Sequence, residues 1–345
     1  ILTQDSISQL NVVDNSGNTN LNNKFNSLLG IVNNASTALG KRYLREQLLN
    51  PINSTDILKK RYRCIREMQE RVIDKNKFRL VEDYLKKIMD IERLHRRMGL
   101  GVLQPADFSN LDSAYQNIVS LVDNQNIFTE GSELKNKLPA SEDLDIFKSF
   151  IQEYTELFDL DEIGKYHLNN VTDSFFNKGK IEEIDQIAQK INILKHRFDK
   201  IAQKLSHYIE NGSQFIKVEF TDKDGYYLQT TKKRGETLKK RLNSMCGKKI
   251  TIKDSEKSLN LRSRDFELKF LKDRTKINSD LLTKMSYQLR GLQASLQQKT
   301  TDVYLEKLES FYTRFHPVLK KISLLVAELD FYKSNAKTAS LYGYV

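Results

Sequence analysis

The stretch FIKVEFTDKDGYYLQTTKKRGETLKKRLNSMCGKKITIKDSEKSLNLRS, Phe215 to Ser263, decides how the rest of the chain is read. It alternates with period two. Ile216, Val218 and Phe220 share one side against Lys217 and Glu219. Asp224-Gly225 is a tight-turn signal before Tyr226, Tyr227 and Leu228. Ile250 and Ile252 alternate with Thr251 and Lys253, and Leu259 and Leu261 with Asn260 and Arg262. Four short strands joined by basic loops are predicted. So few strands do not fold well alone, so neighbouring helices must brace them.

Both flanks supply helical patterns. From Lys180 to Ile209 an apolar seam recurs at steps of three and four: Ile184, Ile187, Ile191, Leu194, Phe198, Ile201, Leu205 and Tyr208. About thirty residues at 1.5 Å each predict a rod of roughly 45 Å. A returning stripe from Arg264 to Gln298 uses Leu268, Leu271, Thr275, Asn278, Leu282, Met285, Leu289, Leu292 and Leu296, and its middle is polar. The plainer alternative is a helical hairpin inside a bundle; the inserted strands favour a reaching rod.

Charge sets the stretch apart. Between Lys232 and Arg264 twelve basic and three acidic residues leave +9, against +11 for the whole chain. A concentrated basic patch attracts polyanions through phosphate contacts and counterion release. The candidate contacts are Lys232, Lys233, Arg234, Lys239, Lys240, Arg241, Lys248, Lys249 and Lys253. No aromatic residues interleave this basic run, which disfavours base stacking on single strands. Contact with a duplex backbone, which carries no sequence readout, fits better. A solvated lysine surface is the bland alternative.

The remainder reads as helical. A chain of 345 residues buries a substantial core and is expected to hold more than one domain, and its four prolines suit long helices. Residues 1–14 predict a short strand, 15–23 a polar loop, and 25–32, 37–49 and 54–72 helices, the last capped by Ser54 or Thr55. Helices are expected over 75–88, 90–97, 105–123, 144–157, 303–315 and 317–334. Residues 124–141, rich in Asn, Gly, Ser and Lys, predict a mobile connection. Cys64 and Cys246 lie far apart, so no disulfide framework and a reducing compartment are expected. No apolar run reaches membrane-spanning length, so no membrane partner is expected. The start, Ile1-Leu2-Thr3, lacks an initiator Met and a signal pattern, and reads as the interior of a longer protein. No catalytic or metal constellation stands out. His196 and His207 are eleven apart, too far to share a metal unaided.

Four segments carry a resemblance. They are Thr37-Ala38-Leu39-Gly40-Lys41-Arg42-Tyr43-Leu44-Arg45 with Leu48 and Pro51; Asp90-Ile91-Glu92-Arg93-Leu94 with Gly101 and Pro105-Ala106-Asp107; Lys217-Val218 with Gly225-Tyr226-Tyr227; and Ala327-Glu328-Leu329-Asp330 with Gly343-Tyr344-Val345. In order and spacing the chain resembles the core, lever and clamp region of the MutS family of DNA mismatch-repair proteins. Each motif is weak alone; together they cover nearly the whole chain.

The resemblance implies a mainly α fold: a helical core with two long antiparallel lever helices carrying a small inserted antiparallel β clamp domain. It implies a connecting segment over 1–24, core and ascending lever over 25–213, clamp over 214–263, and descending lever with return to the core over 264–345. The implied partners are double-stranded DNA and a second MutS-like protomer, at an intracellular site with DNA. No glycine-rich phosphate loop is present, since Gly40-Lys41-Arg42 and Gly247-Lys248-Lys249 lack the upstream glycine and the following Ser or Thr. This segment is therefore read as non-enzymatic, with ATP and Mg expected in an ATPase domain beyond Val345. The family's wedging Phe-x-Glu is expected before Ile1; Phe128-Thr129-Glu130 matches it by letters only. A relative acting on branched DNA, or a coiled-coil scaffold with a basic protein-binding tip, are the alternatives.

Overall fold

A computed structural model describes residues 4–13, 26–210, 214–245, 247–252 and 259–344. The polar loop expected over 15–23, Cys246 and Lys253 lie outside the described residues. The fold is mainly helical, 64% of the described residues, with a small antiparallel sheet region. It divides into two units, residues 1–168 with 303–345, and residues 169–302.

The first unit contains α1 (Gln4–Gln9), α2 (Leu28–Val32), α3 (Ala38–Leu49), α4 (Thr55–Gln69), α5 (Lys77–Leu85), α6 (Ile91–Gly99), α7 (Pro105–Val122), α8 (Ser141–Leu157) and α9 (Leu160–Ile163). A two-residue hairpin, β1 (Arg71–Val72) with β2 (Lys75–Asn76), separates α4 from α5. Local chemistry fixes several starts. The Thr37 hydroxyl accepts from Gly40 N at 2.9 Å, and Asp90 caps α6 by accepting from Arg93 N. Pro105 occupies the first turn of α7, where its missing N–H costs nothing. The strand expected at the N-terminus is corrected to α1. Ile7 is its one apolar residue, so there is no alternating face to pair.

An aromatic cluster forms the core of this unit. The Phe108 ring lies 5.0 Å from Tyr154 and 5.1 Å from Phe158, edge-on, and Phe150 lies 5.4 Å from Phe311. All five are buried. The connection read as mobile is instead packed. Ile127, Phe128 and Leu134 are buried, and the Glu67 carboxylate accepts from Glu133 N at 2.8 Å and Leu134 N at 3.0 Å. Its polar composition hid three apolar anchors.

The chain's last helix, α12 (Asp280–Tyr342), runs 63 residues and supplies the second part of the first unit. Separate helices were expected on either side of Pro317, yet the helix continues through it. Phe311, Phe315, Val318, Leu319 and Ile322 are all buried there, and their packing outweighs the one lost backbone bond.

The second unit begins with α10 (Glu182–His207). Ile184, Ile191, Leu194, Phe198, Ile201 and Leu205 of its seam are buried; Ile187 and Tyr208 are half-buried. Strands β3 (Lys217–Thr221) and β4 (Gly225–Thr231) form a hairpin, followed by α11 (Lys232–Ser244). Then come β5 (Lys249–Ile252), β6 (Leu259–Arg262), β7 (Glu267–Phe270) and β8 (Arg274–Asn278). The main sheet has the order β3-β4-β8-β7, all antiparallel, while β5 and β6 form a separate ribbon.

Two expectations change here. The returning helix starts at Asp280, not Arg264, because residues 267–278 are strands. Leu268, Thr275 and Asn278 match a helical stripe by spacing, but Leu268 with Phe270, and Thr275 with Ile277, also alternate with period two, and the sheet takes them. The polar middle of the stripe was the trace of this. Second, the basic loop after β4 is a helix. Gly235, Leu238 and Leu242 are its buried residues, one stripe of three- and four-residue steps.

The stripe on α12 then reads Leu282, Met285, Leu289 and Leu296, all buried, with Leu292 half-buried. Lys299 of α12 pairs with Glu183 at the start of α10. The Tyr226 ring lies 6.0 Å from Phe198, while its backbone N–H donates to Ser286 Oγ at 2.7 Å. The two helices therefore run in opposite directions. Gly225 makes the hairpin's docking possible: its φ is +69°, and a Cβ there would stand 2.4 Å from Ser286 Oγ.

Candidate nucleic-acid interface

Helix α11 lies against one face of the main sheet. Gly235 allows this approach, since a Cβ on it would sit 2.2 Å from Thr275 Oγ1 of β8. With the Gly235, Leu238 and Leu242 stripe turned inward, 100° per residue places Lys233 and Lys240 opposite it. Arg234 and Arg241 fall on one flank, Lys232 and Lys239 on the other. Two of these flank residues rest on rings: Arg234 is 4.1 Å from the Phe215 centroid and Lys239 is 5.4 Å from that of Phe270. Such cation–π contacts orient the stems and leave the charge available.

Eight of the nine sequence-predicted contacts are described: Lys232, Lys233, Arg234, Lys239, Lys240 and Arg241 on α11, Lys248 just before β5, and Lys249 on it. All eight are exposed, and none makes an ion pair among the described residues. Lys249 stands directly opposite Arg262 in the ribbon. Two like charges side by side repel, and an incoming polyanion relieves the repulsion.

The sequence reading missed Lys217, Lys269, Lys272 and Arg274. They are exposed, and none forms an ion pair among the described residues. Lys269, Lys272 and Arg274 were hidden by the helical reading of residues 264–278. The signal that could have found them is the alternation of Leu268 and Phe270 with Lys269. By contrast Lys276 is engaged: it pairs with Asp224 and lies 4.3 Å from the Tyr227 centroid. Its hydrogen bond holds the Asp224 carboxyl below the usual range.

The first unit handles charge in the opposite way. Asp330 and Lys333 are wholly buried and paired at 2.9 Å. Asp330 accepts from Ser36 N at 3.0 Å, and from Thr37 N and Thr37 Oγ1 at 2.7 Å each. Lys333 Nζ donates to Asn34 O at 2.7 Å and Ser36 Oγ at 2.8 Å. A Cβ on Gly40 would lie 2.1 Å from Asp330 Oδ2, so the motif's small residue is what lets α3 approach. Arg42 reaches Asp90 at 2.7 Å and Glu92 at 2.6 Å. Three of the sequence segments singled out above thus meet in one network. Burial pulls the Lys333 ammonium down from its ordinary pKa.

His95 is buried among α6, α7 and α12. Its Nε2 is 2.6 Å from Tyr115 OH and its Nδ1 3.2 Å from Ser323 Oγ. Burial lowers its pKa to about 3, so it is a neutral structural residue at pH 7. Cys64 is buried and its thiol is pushed up to about 11, again by burial, which makes it a poor nucleophile. Among the described residues no group of His, Cys, Asp and Glu could hold a metal ion, and no helix is long and apolar enough to cross a membrane. Phe128, of the Phe-x-Glu letters, is buried, whereas a wedging ring must be exposed.

One unit is helical and built around a buried charged network, and the other holds an antiparallel sheet with an exposed basic surface. The family model of MutS domain III matches residues 5–336. A putative DNA mismatch repair protein mutS homolog of Acanthamoeba polyphaga mimivirus is 30% identical, covering 100% of this chain and 31% of that protein. The DNA mismatch repair protein MutS of Thermosipho melanesiensis is 25% identical over 93% of this chain and 34% of its own length. A mitochondrial mutS homolog of Sarcophyton glaucum is 24% identical, over 93% and 30%. The chain belongs to the MutS family. It spans about a third of the length of these relatives.

Proposed function

We propose that this chain is the part of a MutS-type mismatch-repair protein that grips the backbone of duplex DNA and couples that grip to an ATPase domain elsewhere in the protein. The segment is not itself catalytic. ATP and Mg belong to the ATPase, a second MutS-like protomer completes the ring around DNA, and the protein works inside the cell where its DNA lies. The observation that carries this reading is the set of exposed cations on α11 and the ribbon, which have no ion-pair partner among the described residues. Such cations neutralise phosphates and release counterions. Residues 217–278 act as the clamp.

The test is a salt titration of duplex binding by this chain. Four to six phosphate contacts predict a slope of log affinity against log salt of roughly −4 to −5, at about −0.9 per contact. Matched and mismatched duplexes bind almost equally, because phosphates carry no direct sequence information. Substituting Lys233, Lys240 and Arg241 by Ala weakens both duplexes together and flattens the slope by roughly 2 to 3. A slope near zero, or a strong mismatch preference in this chain, would refute the reading.

A further inference from the structure

Resting on the clamp reading, we infer that the main sheet's face opposite α11 is a second polyanion-binding surface, so that one clamp unit holds two duplex segments at once. The strand register carries this. Pairing sets Lys217 against Gln229, Gln229 against Lys276, and Lys276 against Lys269. These four residues form one row across all four strands. Successive residues on a strand point to opposite faces. Thr275, which meets Gly235 of α11, and Phe270, beneath Lys239, face α11; Lys276 and Lys269 therefore face away from it. Arg274 lies two residues from Lys276 on the same side, paired with Thr231.

Charge on this face is graded. Glu219 and Glu267 occupy the row beyond Lys217 and Lys269, and Lys276 is taken by Asp224. Among the described residues the cations of this face without an ion pair are Lys217, Lys269 and Arg274, with Lys272 in the turn between β7 and β8. Lys217 and Lys269 sit on the two edge strands, three strand spacings or roughly 14 Å apart. A major groove is about 12 Å wide, so the two ammonium groups can meet phosphates on its two walls.

The two basic surfaces look in opposite directions, with a sheet and a helix between them, the helix alone about 10 Å across. DNA has a persistence length of about 50 nm and does not fold round so small a body. A single straight duplex touches one surface or the other, and the second surface remains open for a second segment.

The experiment mixes this chain at low salt with donor-labelled and acceptor-labelled duplexes, measures energy transfer between them, and measures duplexes bound per chain. Wild type is expected to give transfer and a stoichiometry approaching two. The variant Lys217→Gln/Lys269→Gln/Arg274→Gln alters exposed side chains only, and its fold is checked by circular dichroism. It is expected to lose the transfer and to bind one duplex with the α11 salt slope retained. Absence of transfer in wild type overturns the inference. So does transfer that survives in the variant, because it then comes from two copies of the chain. A variant that binds no duplex, while Lys233→Ala/Lys240→Ala/Arg241→Ala binds normally, overturns it too and leaves the clamp reading standing with the sheet as its only surface. If neither variant weakens binding, the clamp reading itself falls.

Discussion

The two units use charge for opposite purposes. In the first, Asp330 and Lys333 are completely buried and every charged atom has a partner. In the second, the cations of α11 and the ribbon are exposed and have no counter-charge among the described residues. A buried pair fixes one packing, because any other arrangement strands a charge in a dry interior. An exposed unpaired set adds little to stability and is free to bind. Side-chain charge counted along a sequence does not separate these roles; burial and pairing do. The comparison predicts that substitutions at the buried charges of the first unit change stability and those at the exposed cations of the second change binding.

The largest effect is expected at the buried pair. Asp330→Ala strands the Lys333 ammonium and two backbone N–H groups, and is expected to destabilise the first unit by about 3–5 kcal/mol, read as the loss in a urea melt. Loss of stability from Lys240→Ala on that scale would break the contrast between the units. Next, Leu194→Asp puts a carboxylate into the buried seam of α10. It costs several kcal/mol if the group stays ionised. An unchanged melting temperature would show that the seam of α10 is not packed at Leu194.

His95 gives a pH signature to the first unit. Its folded pKa, about 3, lies below its unfolded value, about 6.5. Below pH 6.5 the unfolded chain binds the proton and the folded chain does not, so stability falls as pH drops from about 6.5 towards 3. The slope from this group approaches about 1.4 kcal/mol per pH unit. His95→Gln is expected to flatten the profile over that window, and an unchanged slope would mean His95 is protonated when folded. A smaller loss follows from Gly235→Ala, whose methyl meets Thr275. Moving α11 off the sheet costs about 1–3 kcal/mol and is expected to weaken DNA binding as well.

How much of this was legible in the sequence differs between the units for a physical reason. The α10 seam and the helices starting near Thr37 and Asp90 were readable because helix signals are local, while their caps were seen only in the structure. The β3–β4 hairpin announced itself through Asp224-Gly225. Strands β7 and β8 were not readable as such, because Leu268, Leu271, Thr275 and Asn278 satisfy helical spacing and only pairing with β4 decides for the sheet. The candidate site followed the same rule. The basic residues of α11 were found by composition, but their division between an outward face and two flanks needed Gly235 to show which side packs. Lys269 and Arg274 were lost with the strands that carry them. The Asp330–Lys333 network joins residues nearly three hundred positions apart, and no local pattern reports that.

The most direct test is hydrogen exchange on this chain with and without a saturating duplex. The account predicts new protection on α11, the β5–β6 ribbon and the turn between β7 and β8, with no change in the segment 33–40 or in α12 around Asp330. Protection confined to the first unit, with α11 exchanging as before, would contradict it.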